Sequence, residues 1–314
     1  MKENKRKAVS ESYAKGQFTT LGLVMILYLG VVIILNNVIT DEFLSTLGLN
    51  FDRVDYTYLV VGIKYIIILL GSMIPFFILM KVFDIRLSEM FVIPHISMTD
   101  VISLTIIFIC LTSFVIFILS YVNIVLPIEG EILYPIGLNK GEDYFNNYLY
   151  IFLFVIGTPI IEEFVFRGVI YKALSQYGTM FGMFTSSLLC SLMTQRAGEM
   201  ILAFVLSIFL TYVTARYRSI HPAVFIHIIF NGFFLLVIWL VQSAYANIAV
   251  ILFLVLFVLG MVIIVYRPIR FIRINRNPQS SYVFALFFSR ISVIIFIILA
   301  LIYPTIFIIY NSLL

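Results

Sequence analysis

The sequence predicts an all-α protein, a polytopic bundle of about eight or nine transmembrane helices with a cytoplasmic N-terminus. Of its 314 residues, 62% are hydrophobic and only 11% are charged, whereas an ordinary soluble domain is about 25% charged. The apolar residues form successive runs about as long as a membrane span. The basic residues are concentrated in alternate loops, as in polytopic membrane proteins.

Apolar runs of about twenty residues, the length that crosses the hydrocarbon core, define the predicted helices. The fifth run is the weakest, and it could be re-entrant rather than spanning. No repeat or linker divides the chain, which predicts a basic cytoplasmic tail over 1–17 and a single transmembrane domain over 18–314. The nine runs lie near 18–39, 58–80, 101–122, 148–172, 180–194, 200–215, 222–241, 248–266 and 291–310.

Loop charges predict the orientation, because Lys and Arg near helix ends are retained on the cytoplasmic side. The opposite loops are mainly acidic and contain few basic residues, among them Arg53 and Lys140. An odd number of spans would place the C-terminus outside. Basic residues of the predicted inner side are Lys2, Lys5, Arg6, Lys7, Lys15, Lys81, Arg86, Arg216, Arg218, Arg267, Arg270, Arg273 and Arg276.

The net charge of +4 is small and is distributed by side of the membrane, so no nucleic-acid partner is predicted. The lipid bilayer is the expected partner. The basic run from Arg267 to Arg276 could attract anionic lipid, or it could be an ordinary inner loop. Abundant isoleucine, asparagine and tyrosine favour a bacterial plasma membrane.

Three charged residues interrupt the fourth apolar run: Glu162, Glu163 and Arg167. Each costs about 2.5–3.5 kcal/mol at the centre of a spanning helix, so such groups face a protein interior or a wet cavity. Glu163 and Arg167 are spaced i, i+4 and can form an ion pair. Glu162 is rotated by about 100° around the axis, which leaves it available as a general base or metal ligand. The alternative is a purely structural salt bridge with an idle second acid.

The seventh run carries a second polar pair, His227 and Asn231, which share a face at i, i+4. An imidazole and an amide there could bind a metal, polarise a carbonyl, or only hydrogen-bond a neighbouring helix. His221 precedes a proline at the predicted membrane surface and fits the start of a helix. His95 lies in a predicted cytoplasmic loop and indicates no site.

These residues resemble the motifs of the CPBP family, membrane peptidases related to CAAX prenyl proteases and to the bacteriocin-processing and self-immunity proteins also called Abi. Glu162, Glu163 and Arg167 match E-E-x-x-x-R, and His227 and Asn231 match H-x-x-x-N. The resemblance covers about 101–241. The family's middle motif, F-x-x-x-H, falls on 190–194, so Thr194 stands where the family has histidine.

The resemblance implies that the first-motif glutamate activates water while the histidines and asparagine bind a divalent metal or stabilise the oxyanion. Catalytic zinc favours three protein ligands plus water, and only Glu162 and His227 remain as possible ligands. This incomplete ligand set disfavours zinc and leaves a metal-free route open, in which Glu162 activates water while His227 and Asn231 polarise the carbonyl. The lost donor would cost about 10²- to 10³-fold in rate.

Two functions follow. The first is an endopeptidase acting on a membrane-associated or lipidated peptide at a site open to the cytoplasmic side, through Glu162, Glu163, Arg167, His227 and Asn231. The second is a pseudoprotease that binds a partner membrane protein as a scaffold or regulator, which Thr194 favours. A transporter using Glu162 and Lys64 in a proton path is a third interpretation, although the other predicted helices carry almost no charge.

Overall fold

The computed structural model describes residues 11–38, 54–94, 96–125, 151–194, 197–242, 245–266 and 280–313. Within these ranges the chain forms ten helices and no strand, which confirms the all-α bundle. His95, most of the basic tail and the Arg267–Arg276 run lie outside the described residues.

The helices are numbered in chain order, and a short 3₁₀ turn, Leu87–Glu89, lies between the second and third. The fourth is a continuous but irregular helix over 151–175. The ten are α1 Glu11–Val38, α2 Val54–Val82, α3 Met98–Val125, α4 151–175, α5 Thr179–Leu192, α6 Ala197–Tyr217, α7 His221–Gln242, α8 Ala246–Tyr266, α9 Ser280–Phe288 and α10 Ile291–Leu313.

Five of the described helices are long and apolar enough to cross a membrane, and a sixth span is present if one bent pair counts. That pair is Tyr282–Phe288 with Ile291–Ile302, bent by 68°. The five are Glu11–Leu35, Met98–Leu119, Glu199–Tyr217, His221–Val241 and Asn247–Tyr266.

Two features differ from the predicted layout. The fifth run forms a helix of only 14 residues, Thr179–Leu192. At 1.5 Å per residue it is about 21 Å long, too short for a hydrocarbon core of about 30 Å. The last run is preceded by an additional helix, α9, which the sequence analysis did not predict because its nine residues fall below the length of a span.

Helix α4 contains two π-helical stretches, Leu153–Gly157 and Glu163–Tyr171, separated by an α-helical turn. Hydrogen bonds in a π-helix run from i+5 to i, and such stretches are often found at functional sites. Pro159 follows the first stretch and has no N–H to donate. Pro159 therefore cannot donate a hydrogen bond to the Phe154 carbonyl five residues earlier.

The buried side chains form two main clusters, and α4 contributes to both. One joins α4 to α1, α5, α10 and the end of α2, through residues such as Phe18 and Phe181. The other joins Phe154 of α4 to α3, α6 and α7. Helix α4 therefore lies between the two cores, where its polar side chains can be shielded from lipid.

Candidate active site

The predicted ion pair between Glu163 and Arg167 is present and buried. Arg167 Nη1 donates to Glu163 Oε1 over 3.0 Å, and the two side chains are 2% and 0% exposed. Arg167 Nη2 also donates to Ser207 of α6, over 2.9 Å to Oγ and 3.3 Å to the carbonyl oxygen. The guanidinium therefore neutralises the acid and fixes α4 against α6.

Glu162 is the adjacent residue but has a different environment. Its side chain is 41% exposed, whereas that of Glu163 is inaccessible. The difference follows from the rotation between consecutive helical residues. The two carboxylates are thus available for different tasks, one as a buried structural partner and one facing open space.

His227 of α7 lies between the two acids. Its Nδ1 is 2.9 Å from Glu163 Oε1, and its Nε2 is 3.9 Å from Glu162 Oε2. A carboxylate paired with arginine is an acceptor only, so Nδ1 carries the proton in the contact with Glu163. This orients Nε2 toward Glu162, and one water at about 2.8 Å from each atom would fit across that separation.

Asn231 lies one turn beyond His227 but makes a different contact. Its Nδ2 donates to the Phe154 carbonyl over 3.0 Å, the carbonyl to which Pro159 has no N–H to donate. The side chain is buried. Asn231 therefore joins α7 to α4 close to the cluster rather than contacting the glutamates.

Thr194 lies just beyond the end of α5, and its hydrogen bonds remain local. Its Oγ1 donates to the Ser191 carbonyl over 2.6 Å, and its backbone N–H donates to the same oxygen. The structure thus brings together Glu162, Glu163, Arg167 and His227, places Asn231 beside them, and leaves the Thr194 hydroxyl bonded to its own helix end.

Ser207 was not predicted from the sequence, although its hydroxyl accepts a hydrogen bond from Arg167. A signal was present, because Ser207, Thr211 and Thr214 recur at i, i+4 and i+7 on an apolar helix. All three are buried. A hydroxyl stripe of that spacing lies on one face and indicates a polar neighbour.

The donors of this cluster do not fit a zinc centre. No group of three or more His, Cys, Asp or Glu side chains in the described ranges has an arrangement that could hold a metal ion. Both nitrogens of His227 face carboxylates, and Glu163 Oε1 already accepts from Arg167 and His227. Zinc needs three ligands converging at about 2 Å, which these side chains do not provide.

Residues 144–233 match the family model described as type II CAAX prenyl endopeptidase Rce1-like. The resemblance to the CPBP family is confirmed. The matched CPBP segment contains every motif position considered above, from Glu162 to Asn231, and lies within the predicted core at 101–241. No curated protein and no solved structure matches the chain.

The CPBP match supports a membrane protease at the level of the family. Together with the five long apolar helices, it supports an integral membrane protein in a lipid bilayer.

Proposed function

We propose that the chain is an intramembrane endopeptidase that hydrolyses a membrane-associated or lipidated peptide, with Glu162 as general base. The observation that carries the proposal is the position of His227, 2.9 Å from the buried Glu163 and 3.9 Å from the open Glu162. A partly exposed carboxylate facing an imidazole that a second carboxylate orients is a suitable arrangement for activating water.

In the first step, Glu162 accepts a proton from water while the water oxygen attacks the scissile carbonyl carbon. The carbonyl oxygen gains negative charge and accepts a hydrogen bond from His227 Nε2–H, in the doubly protonated form of the imidazole. In the second step, Glu162 returns the proton to the peptide nitrogen as the C–N bond breaks. The products are a new carboxyl group and a new amine.

The other polar residues act as positioning groups in this proposal. Glu163 holds His227 through Nδ1–H, and Arg167 neutralises Glu163 so that its charge is tolerated in the interior. Asn231 holds α7 against α4 through the Phe154 carbonyl. Because the oxyanion has one imidazole donor rather than two, we expect slower turnover than a complete motif set would give.

The test compares membrane and secreted peptides from cells that express the wild type, Glu162→Gln, Glu11→Gln or no protein, at matched expression. The nearly isosteric Gln cannot accept the proton, so Glu162→Gln and the deletion should accumulate the same uncut precursor. Glu11→Gln, which changes an exposed glutamate of α1 outside the cluster, should process it normally. Wild-type processing by Glu162→Gln would contradict the proposal.

The second candidate is a pseudoprotease scaffold, which Thr194 favours because its hydroxyl is bonded to its own helix end. In that case Glu162→Gln would behave as wild type whereas the deletion would not. Thr194→His would then leave the phenotype unchanged, whereas a gain in cleavage would indicate an intact but impaired protease site.

The proposal includes the membrane in which the protein lies and the side on which its active site opens. The residue composition favours a bacterial plasma membrane, and the loop charges favour an active side toward the cytoplasm. Reporter fusions or cysteine labelling at Arg86 and Arg218, both predicted to be cytoplasmic, would test this. Labelling of either position from outside intact cells would contradict it.

A further inference from the structure

A second polar site lies close to Arg167 and is separate from the catalytic pair. It is a cavity of about 240 Å³ where the end of α4, the turn between α6 and α7 and the 3₁₀ turn meet. Glu162 and His227 do not line it. Its polar lining includes Arg167, Lys172, Arg218, Ser219 and Glu89.

The cavity has an excess of positive charge. Arg167 is paired with Glu163, and Lys172 Nζ is 2.6 Å from Glu89 Oε2. Arg218 is exposed and has no ion-pair partner among the residues that the structure describes. One lining cation is therefore uncompensated, which favours an anionic ligand.

Arg167 gives a second, independent indication of a ligand. Two of its guanidinium nitrogens are bonded to Glu163 and Ser207, but Nε is buried and has no hydrogen-bond partner within the described ranges. The residue is only 3% exposed. An unpaired charged donor in the interior is costly, and an oxyanion at the inner end of the cavity would supply the missing acceptor.

The backbone around Arg218 adds to the positive potential. Helix α7 begins at His221, directly after the lining residues Ser219 and Ile220, so its N-terminal partial charge of about +0.5 is close to the cavity. The N–H groups of Ile220 and His221 already donate to Met90 and Ser219. Helix α7 therefore contributes through its electrostatic field rather than through unoccupied N–H donors.

We propose that this cavity binds a phosphate group, either as free phosphate or as the headgroup phosphate of an anionic phospholipid. Arg167, Lys172 and Arg218 line the cavity from α4 and from the turn between α6 and α7. Donors arranged on several sides suit a tetrahedral anion with several acceptor oxygens better than a planar carboxylate. Bound phosphate would link these elements and stabilise the fold by mass action.

The test measures thermal unfolding of the purified full-length protein in a neutral detergent, with sodium phosphate against sodium chloride at equal ionic strength. Phosphate should raise the midpoint for the wild type in a saturable manner. Arg218→Gln should weaken the apparent phosphate affinity about tenfold or more, the loss of one charge-assisted hydrogen bond. The matched control Arg216→Gln, an exposed arginine that does not line the cavity, should respond as wild type.

A second arm distinguishes the two sources of phosphate. Short-chain phosphatidylglycerol is compared with the corresponding short-chain diacylglycerol, which lacks the phosphate. Stabilisation by inorganic phosphate, lost in Arg218→Gln, supports a free anion; stabilisation by phosphatidylglycerol alone, lost in the same variant, supports a lipid headgroup. The proposal is overturned if neither probe stabilises the wild type beyond its control, or if Arg218→Gln responds undiminished. Peptide cleavage does not enter this readout, so the outcome is independent of the proposed protease function.

Discussion

Glu163 is the residue on which the polar cluster depends. Its Oε1 accepts from Arg167 within α4 and from His227 of α7. Its Oε2 is buried without a hydrogen-bond partner in the described part of the chain. A fully buried carboxylate is tolerable only with a charged donor beside it. The neighbouring Glu162 differs because its side chain is partly exposed.

We expect Arg167→Met to destabilise the protein by about 3–5 kcal/mol, because it leaves the carboxylate of Glu163 buried without its counter-ion. Unfolding of the purified protein in mixed detergent micelles gives the measurement. The double variant Glu163→Gln with Arg167→Met should recover much of this loss, since it removes both charges. Equal destabilisation of the single and double variants would show that the arginine acts through packing instead.

At the scale of elements, α4 positions the site by departing from a regular helix. The first π-helical stretch contains Phe154, whose carbonyl accepts a hydrogen bond from Asn231. The second stretch contains both Glu163 and Arg167 and places them within 3.0 Å of each other. The irregular backbone therefore has a direct effect on which side chains of α4 reach α6 and α7.

The contact between α1 and α10 depends on Gly22. A Cβ at this position would lie 2.4 Å from Ser292 Oγ and 2.7 Å from the Val293 backbone nitrogen, whereas a Cβ at Gly30 would meet nothing within 4 Å. We expect Gly22→Ala to destabilise the bundle by about 1–3 kcal/mol through overpacking. Gly30→Ala, in the same helix, should be neutral or stabilising by up to about 1 kcal/mol. Unfolding in detergent measures the stability of both variants. Similar losses of stability would contradict a close approach of α1 to α10 at Gly22.

The ion pair between Glu89 and Lys172 joins the 3₁₀ turn to α4 and should depend on pH. The hydrogen bond and charge of Lys172 lower the pKa of Glu89. The stabilising effect is therefore complete above the ordinary glutamate pKa, about 4.3, and is lost as pH falls through the lowered value. We expect a small stability difference between wild type and Glu89→Gln at pH 7 that disappears in acid. A stability difference between the two proteins that grows below pH 4 would contradict this prediction.

At the scale of the whole molecule, the arrangement of donors favours a metal-free route for the proposed protease. We expect protein purified under mild conditions to contain far less than one zinc per chain, and peptide processing to be unaffected by chelators. Elemental analysis and a cleavage assay with and without chelator give the two measurements. Stoichiometric metal together with loss of cleavage on chelation would show that other residues complete a metal site.

The sequence predicted much of this architecture because its signals are local. Apolar runs set the bundle, and the i, i+4 spacing gave the Glu163–Arg167 pair. The 14 residues of α5 were harder to interpret, since a short apolar run fits a re-entrant or a buried helix equally well. Helix α9 was missed because a nine-residue apolar segment has no membrane-length signal.

The hydrogen bonds that join the cluster residues of different helices could not be predicted in the same way. The spacing of His227 and Asn231 places both on one face of α7, yet one side chain meets Glu163 and the other meets the Phe154 carbonyl. Ser207 gave only the weak signal of a hydroxyl stripe. Which of these groups meet depends on the rotation and crossing of α4, α6 and α7.

The sequence alone therefore determined the helical membrane class, the family motifs and the intrahelical ion pair, because hydrophobic length and helical periodicity are properties of contiguous residues. Only the tertiary structure decided that His227 lies between two glutamates, that Arg167 reaches Ser207, and that a positively charged cavity forms beside it. These contacts join residues 40 or more positions apart, and the packing of two buried clusters on either side of α4 brings them together.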